Sequence, residues 1–163
     1  LPFLRPAALV ASVMMATALL NAPAVAEITA RPGWEIHASQ KDFATLLADL
    51  KVAVKDQGLG VVTEAGPTGA AAARGITIPG NRVVGVFGND YAVEILSLST
   101  AALIEAPIRF YVTENADGTA TLSYKTPTYV FTPYLPEAGE KLAAVAARLD
   151  TAFAAIATSA LRQ

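Results

Sequence analysis

Apolar and polar residues alternate through Gly33-Trp34-Glu35-Ile36-His37-Ala38, with Trp34, Ile36 and Ala38 on one side and Glu35 and His37 on the other. A period of two predicts a strand with one face buried. Ser39-Gln40-Lys41-Asp42 follows and fits an S-x-x-D capping pattern, in which side chains satisfy the free amides of a first helical turn. The helix so predicted carries Phe43, Leu46, Leu47, Leu50 and Val54 on one stripe and stops at Gly58. Residues 59–63 and 82–87 read as further strands, with an alanine-rich stretch at 64–75 that predicts a short helix at most.

Residues 91–103 predict a helix through Tyr91, Ile95, Leu98 and Ala102, and 107–113 alternate Ile108, Phe110 and Val112 against Arg109, Tyr111 and Thr113. Asn115-Ala116-Asp117-Gly118 supplies hairpin-turn chemistry. The return strand alternates Ala120, Leu122 and Tyr124 against Thr121, Ser123 and Lys125, so the two strands are expected to pair. Residues 126–136, TPTYVFTPYLP, read as an aromatic loop pinned to the body by its prolines. From about Glu137, Leu142, Val145, Leu149, Phe153 and Ile156 recur at helical spacing, and the opposite face is mostly alanine. These elements predict one α+β domain, an antiparallel-rich sheet of about five strands packed by two long amphipathic helices.

The first 26 residues stand apart from that pattern. Arg5 precedes an uncharged apolar run at 7–20, and Ala24-Val25-Ala26 presents small residues before Glu27. This is the layout of a secretory signal peptide cleaved between Ala26 and Glu27, leaving 27–163 as a periplasmic or secreted domain. The alternative is a membrane anchor through residues 7–20. Cleavage would remove one charge, Arg5, and take the net charge from −2 to −3. No other long apolar segment stands out in the sequence, so no membrane association is expected after cleavage.

Composition then narrows the chemistry. The chain has no cysteine, both methionines (Met14 and Met15) fall in the leader, and His37 is the one histidine. Disulfides, thiolate catalysis, iron–sulfur clusters and soft-metal sites therefore lack their ligands, and no metal or other cofactor is expected. No basic run exists to neutralise a phosphate backbone, which argues against nucleic-acid binding.

AAAARG, VVGVFGNDYAVEIL and EAPIRFYVTENADGTATLSYKTP occur in that order. Together they resemble the bacterial domain-of-unknown-function 302 family over roughly residues 34–153. The resemblance rests on an A-x-x-x-G segment, a V-F-G-N-P turn, an L-P-x-R-x-x-V-x-E strand, a D-G hairpin and an S-Y-x-x-P return strand. Asp90 stands where proline is usual, and Ala106-Pro107 replaces Leu-Pro. The resemblance implies a TATA-binding-protein-like α+β arrangement and carries over no catalytic residue.

Four residues are candidates for ligand binding: Asn89, Arg109, Tyr124 and Tyr129. Val83-to-Asp90 has the strand–glycine–helix order of a phosphate-binding turn, yet it lacks converging glycines and a lysine, and Asp90 repels an anion. A plain turn with Asn89 or Asp90 capping the next helix is the reading preferred. Arg109 suits an anion clamp, although pairing with Glu105 or Glu114 is expected to hold it. Glu35 and His37 form a solvent-facing pair, two ligands short of a metal site. Tyr124, Tyr129, Phe131 and Tyr134 read as core and loop anchors, with any pocket lying beneath their loop. The expected function is a non-enzymatic binding or accessory domain for a small ligand or an envelope protein. One alternative is an acid–base enzyme, of isomerase or lyase type, using Arg109, a glutamate and a tyrosine. The other is a homodimer built on the alanine face or a free sheet edge.

Overall fold

The structure, a computed structural model, describes residues 27–163; residues 1–26, on which the expected signal peptide falls, lie outside the described residues. Five strands form one antiparallel sheet: β1 (Trp34–Ala38), β2 (Gly60–Ala65), β3 (Asn81–Phe87), β4 (Ile108–Glu114) and β5 (Ala120–Lys125). Their order across the sheet is β1-β5-β4-β3-β2. The helices are α1 (Phe43–Asp56), α2 (Thr68–Ala73), α3 (Asn89–Leu98), α4 (Pro127–Phe131) and α5 (Leu135–Leu161). This is the α+β, two-layer arrangement that the periodicities predict.

One face of the sheet is covered. Val84 and Val86 of β3, Ile108, Phe110 and Val112 of β4, and Ala120, Leu122 and Tyr124 of β5 join Leu46, Leu50 and Val54 of α1 in one core. The predicted stripe of α5 closes it: Leu142, Val145, Leu149, Phe153 and Ile156 are all buried. Phe153 stacks on Phe110 at 4.6 Å between ring centroids and meets Tyr124 at 5.7 Å. By length and composition the helical stretch Pro127–Leu161, which α5 completes, could cross a membrane. Its apolar stripe is instead spent on the sheet, which explains that composition without a bilayer. Gly139 interrupts the helix with φ 59° and ψ −148°, a conformation that a side chain would strain.

The β4–β5 hairpin forms as expected, pairing Phe110 with Tyr124 and Val112 with Leu122. Several local expectations are corrected. The cap of α1 is Asp42, whose carboxylate accepts from Thr45 N at 2.8 Å, while Ser39 Oγ accepts from Lys41 N. Asp42 thus starts a helix three residues later than a Ser39 cap would. The helix predicted at 91–103 stops at Leu98, where Ser99 is extended; Ser99 Oγ then accepts from Ala102 N and opens a 3₁₀ turn, Ala102–Glu105.

The 126–136 stretch is not a loop but α4, a 3₁₀ turn (Thr132–Tyr134) and the first turn of α5. Thr126 caps α4 and Pro127 occupies its first turn, where the missing N–H of proline costs nothing. Neither Asn89 nor Asp90 caps α3, whose N-cap is Gly88 with no side-chain bond. Asp90 instead sits in the first turn, where its charge favours the helix dipole.

The largest difference concerns β1. Its register with β5 places Trp34 opposite Lys125 and Ile36 opposite Ser123. Those partners point away from the helices, so Trp34, Ile36 and Ala38 lie on the uncovered face of the sheet. Glu35 and His37 point to the helix side, at its edge.

Candidate functional site

The uncovered face is built from alternate residues of neighbouring strands, so each row across the sheet collects residues far apart in sequence. The register pairs Phe110 with Tyr124, Gly85 with Arg109 and Trp34 with Lys125. Continued one step past the terminal Phe110–Tyr124 pair, the register sets Arg109 beside Lys125, so that one row reads Trp34, Lys125, Arg109, Gly85. The next row reads Ile36, Ser123, Tyr111, Val83.

Trp34, Lys125 and Arg109 of the first row and Tyr111 and Val83 of the second line a hollow of about 360 Å³, with Val130 and Glu105 at its side. A second hollow of about 330 Å³ adjoins it, sharing Glu105, Arg109, Lys125 and Val130 and adding Tyr129, Thr132 and Pro133. The Arg109–Lys125 pair thus stands between an apolar, aromatic compartment and a more polar one. Val130 of α4 walls both.

Arg109 is exposed and forms no ion pair among the described residues, contrary to the expected pairing with Glu105 or Glu114. Glu105 accepts from the Tyr134 hydroxyl at 2.7 Å, and Glu114 accepts from Gly80 N at 2.6 Å. The Glu105 bond raises the Tyr134 hydroxyl pKa above its ordinary value, with burial adding to it. The two cations lie next to one carboxylate already held by a tyrosine, which leaves the hollow net positive. Lys125 Nζ lies 5.8 Å from the Trp34 ring centroid and Arg31 Cζ 5.3 Å from it. Cation–π attraction of this kind fixes the indole at the mouth of the hollow.

Tyr111 is tethered by Asn81, whose amide donates to the phenolic oxygen at 2.5 Å. Ser123, the neighbour of Tyr111 on β5, is fully buried, and its Oγ has no hydrogen-bond partner among the described residues. Gly33 positions α4: its φ is +74°, and a Cβ there would stand 2.0 Å from the Tyr129 ring. Thr126 N also donates to Gly33 O at 2.8 Å, so the start of α4 is fastened to the start of β1.

Of the four candidates, Arg109 and Tyr124 border the first hollow and Tyr129 the second. Asn89 is exposed at the start of α3 and borders neither. Tyr124 is 5% exposed and is chiefly a core ring, packed on Phe110 at 5.0 Å. Trp34, Lys125 and Tyr111 were missed as candidates. A signal for Lys125 existed, because a tight 115–118 turn places residue 125 opposite residue 109. No local pattern marks Trp34, whose side of the sheet depends on a partner strand about ninety residues away.

The family model described as domain of unknown function DUF302 matches residues 35–156. A crystal structure of an uncharacterized conserved protein DUF302 from Bacillus stearothermophilus is similar in fold, with a TM-score of 0.70 at 16% identity. That similarity covers 81% of this chain and 100% of the other. No curated protein matches.

Proposed function

The chain belongs to the DUF302 family, a domain of unknown function, and on that footing we propose that it is an exported binding domain for a small amphipathic carboxylate. The observation that carries this reading is the Arg109–Lys125 pair. Like charges opposite each other on paired strands destabilise a sheet. Here they stand without an acidic partner within salt-bridge reach, beside an aromatic hollow. A carboxylate placed between them accepts from both, and its apolar part lies against Trp34, Val83 and Val130. The hollow has the size of small-molecule sites, which span roughly 300–1,000 Å³. Export rests on residues 1–26, and no membrane span is proposed for the processed chain.

Trp34 is the single tryptophan, so its emission reads the site directly. Octanoate titrated into the protein is expected to shift that emission with saturation, and octanol at the same concentration to leave it nearly unchanged. Arg109→Gln should weaken octanoate binding about tenfold or more, the worth of one charge-assisted hydrogen bond. Equal responses to octanol and octanoate would refute a carboxylate site. Native mass spectrometry of protein drawn from its own cell envelope tests export: a chain beginning at Glu27 is expected.

A second reading rests on the Tyr134–Glu105 bond beside Arg109. Those three groups suit an acid–base enzyme in which Arg109 orients the substrate carboxylate. Conversion of the bound molecule by the native protein, lost in Glu105→Gln, would favour it over binding alone.

A further inference from the structure

The helix-side edge of the sheet holds a second concavity, of about 420 Å³, between β1 and the last turns of α5. It is bordered by Glu35, His37, Tyr124 and Asp150, with Ala154 and Ala157 of α5 as an apolar wall. No lysine or arginine lines it, so its charge is opposite in sign to that of the hollow on the other face. Asp150 is held in place: its Oδ1 accepts from Thr128 N at 2.9 Å and its Oδ2 from Thr128 Oγ1 at 2.5 Å. Glu35 Oε2 lies 3.8 Å from His37 Nε2.

Two carboxylates alone do not make a site, but Tyr124 adds an independent observation. It is 5% exposed, with its ring packed by Phe110 and Phe153 and stacked with His37 at 6.2 Å. Buried tyrosine hydroxyls ordinarily find a hydrogen-bond partner. The hydroxyl of Tyr124 makes none with the described residues, yet it is not among the fully buried polar atoms left without a partner, so its oxygen is open to solvent while its ring is buried. Burial, then the charges of Glu35 and Asp150, push its pKa up to about 12. Tyr124 borders the acidic concavity together with both carboxylates, which is what ties its hydroxyl to them. Thr158 and Leu161 bring the last turn of α5 to the same place, and that turn carries no basic residue. Its dipole adds a negative potential. One carbonyl there, Ala160 O, already accepts from Lys41 Nζ at 2.8 Å.

We propose that this concavity binds a small organic ammonium ion, which donates N–H groups to Glu35, Asp150 and the Tyr124 hydroxyl oxygen and rests its alkyl part on Ala154 and Ala157. A metal ion is the poorer occupant, since no group of three His, Cys, Asp or Glu side chains converges among the described residues. The site lies on the opposite face from the carboxylate site and takes the opposite charge; of its lining residues Tyr124 alone borders both.

The test is a titration of the protein with n-butylammonium chloride, followed by amide chemical shifts at constant ionic strength. Tetramethylammonium serves as a probe of equal charge without N–H donors. Saturable shifts are expected in β1 and in residues 150–161. The variant Glu35→Gln should bind about tenfold more weakly, the loss of one charge-assisted hydrogen bond, and tetramethylammonium, which makes none of the three donations, weaker still. Tyr124→Phe keeps the ring and should cost about threefold. Glu35 is half-exposed, so its replacement leaves the fold intact, which unchanged thermal unfolding would verify. No saturable binding up to tens of millimolar, equal affinity for both cations, or full affinity in Glu35→Gln would each overturn the proposal. Shifts confined to Arg109 and Lys125 would do the same.

Discussion

Arg109 and Lys125 stand one step beyond the Phe110–Tyr124 pair that ends the β4–β5 ladder, and both border the same hollow. If no bound anion screens them, removing either charge relieves a repulsion. Directly opposed cross-strand pairs are worth roughly 0.2–1 kcal/mol, with the sign unfavourable for like charges. A single variant is ambiguous, because the long stems of arginine and lysine also cover apolar surface. The informative perturbation is therefore the cycle of Arg109→Gln, Lys125→Gln and the double variant, which cancels each stem's own contribution. We expect a repulsive coupling of about 0.5 kcal/mol at low salt, equivalent to a melting-temperature difference of about 1–4 °C for a domain of this size. Exposed charges are screened, since the Debye length falls from about 30 Å at 0.01 M to about 3 Å at 1 M salt. The coupling should accordingly vanish in about 1 M sodium chloride. Chemical denaturation of the four proteins at low and high salt measures it. An attractive coupling, or one that salt leaves unchanged, would refute the reading of these residues as an unneutralised pair. Octanoate offers a further check: bound between the two cations, it should raise wild-type stability more than that of either variant.

Tyr124 predicts an alkaline limit. Its hydroxyl pKa stands raised to about 12 in the fold against an ordinary 10. A raised folded value means that the associated stability is complete below pH 10 and lost as pH climbs towards 12. Ultraviolet titration should show a late-ionising tyrosine that disappears in Tyr124→Phe, and this variant should lose less stability over that range. Phe153→Ala removes the ring stacked on Phe110 and should cost about 3–5 kcal/mol in denaturant unfolding; a cost below about 1 kcal/mol would contradict the core described. Gly33→Ala forces a side chain into a positive-φ position and into the Tyr129 ring. It should lower the melting temperature and weaken octanoate binding together. An unchanged affinity would mean that the seating of α4 on β1 does not shape the hollow.

Much of the local structure was determined by the sequence alone. The stripes of α1 and α5 were legible because a period near 3.6 with apolar bulk admits one reading, and every residue named on the α5 stripe is buried. The β4–β5 hairpin was legible too, since turn length sets register and register sets which residues face each other. Thr126-Pro127 was a readable helix start hidden by the prolines that follow. Tertiary structure decided the rest. Alternation in β1 separates Trp34 and Ile36 from Glu35 and His37, but a period of two is symmetric and does not say which side meets the helices. That choice came from pairing with β5. It placed the tryptophan on the open face beside Arg109 and Lys125, and the two polar residues at the edge beside Asp150. The solitude of Arg109 was equally out of reach. Tyr134 engages Glu105, a contact that spans about thirty residues and that only the folded chain brings together, while Glu114 lies five residues further along the strand on its other face and bonds Gly80 N.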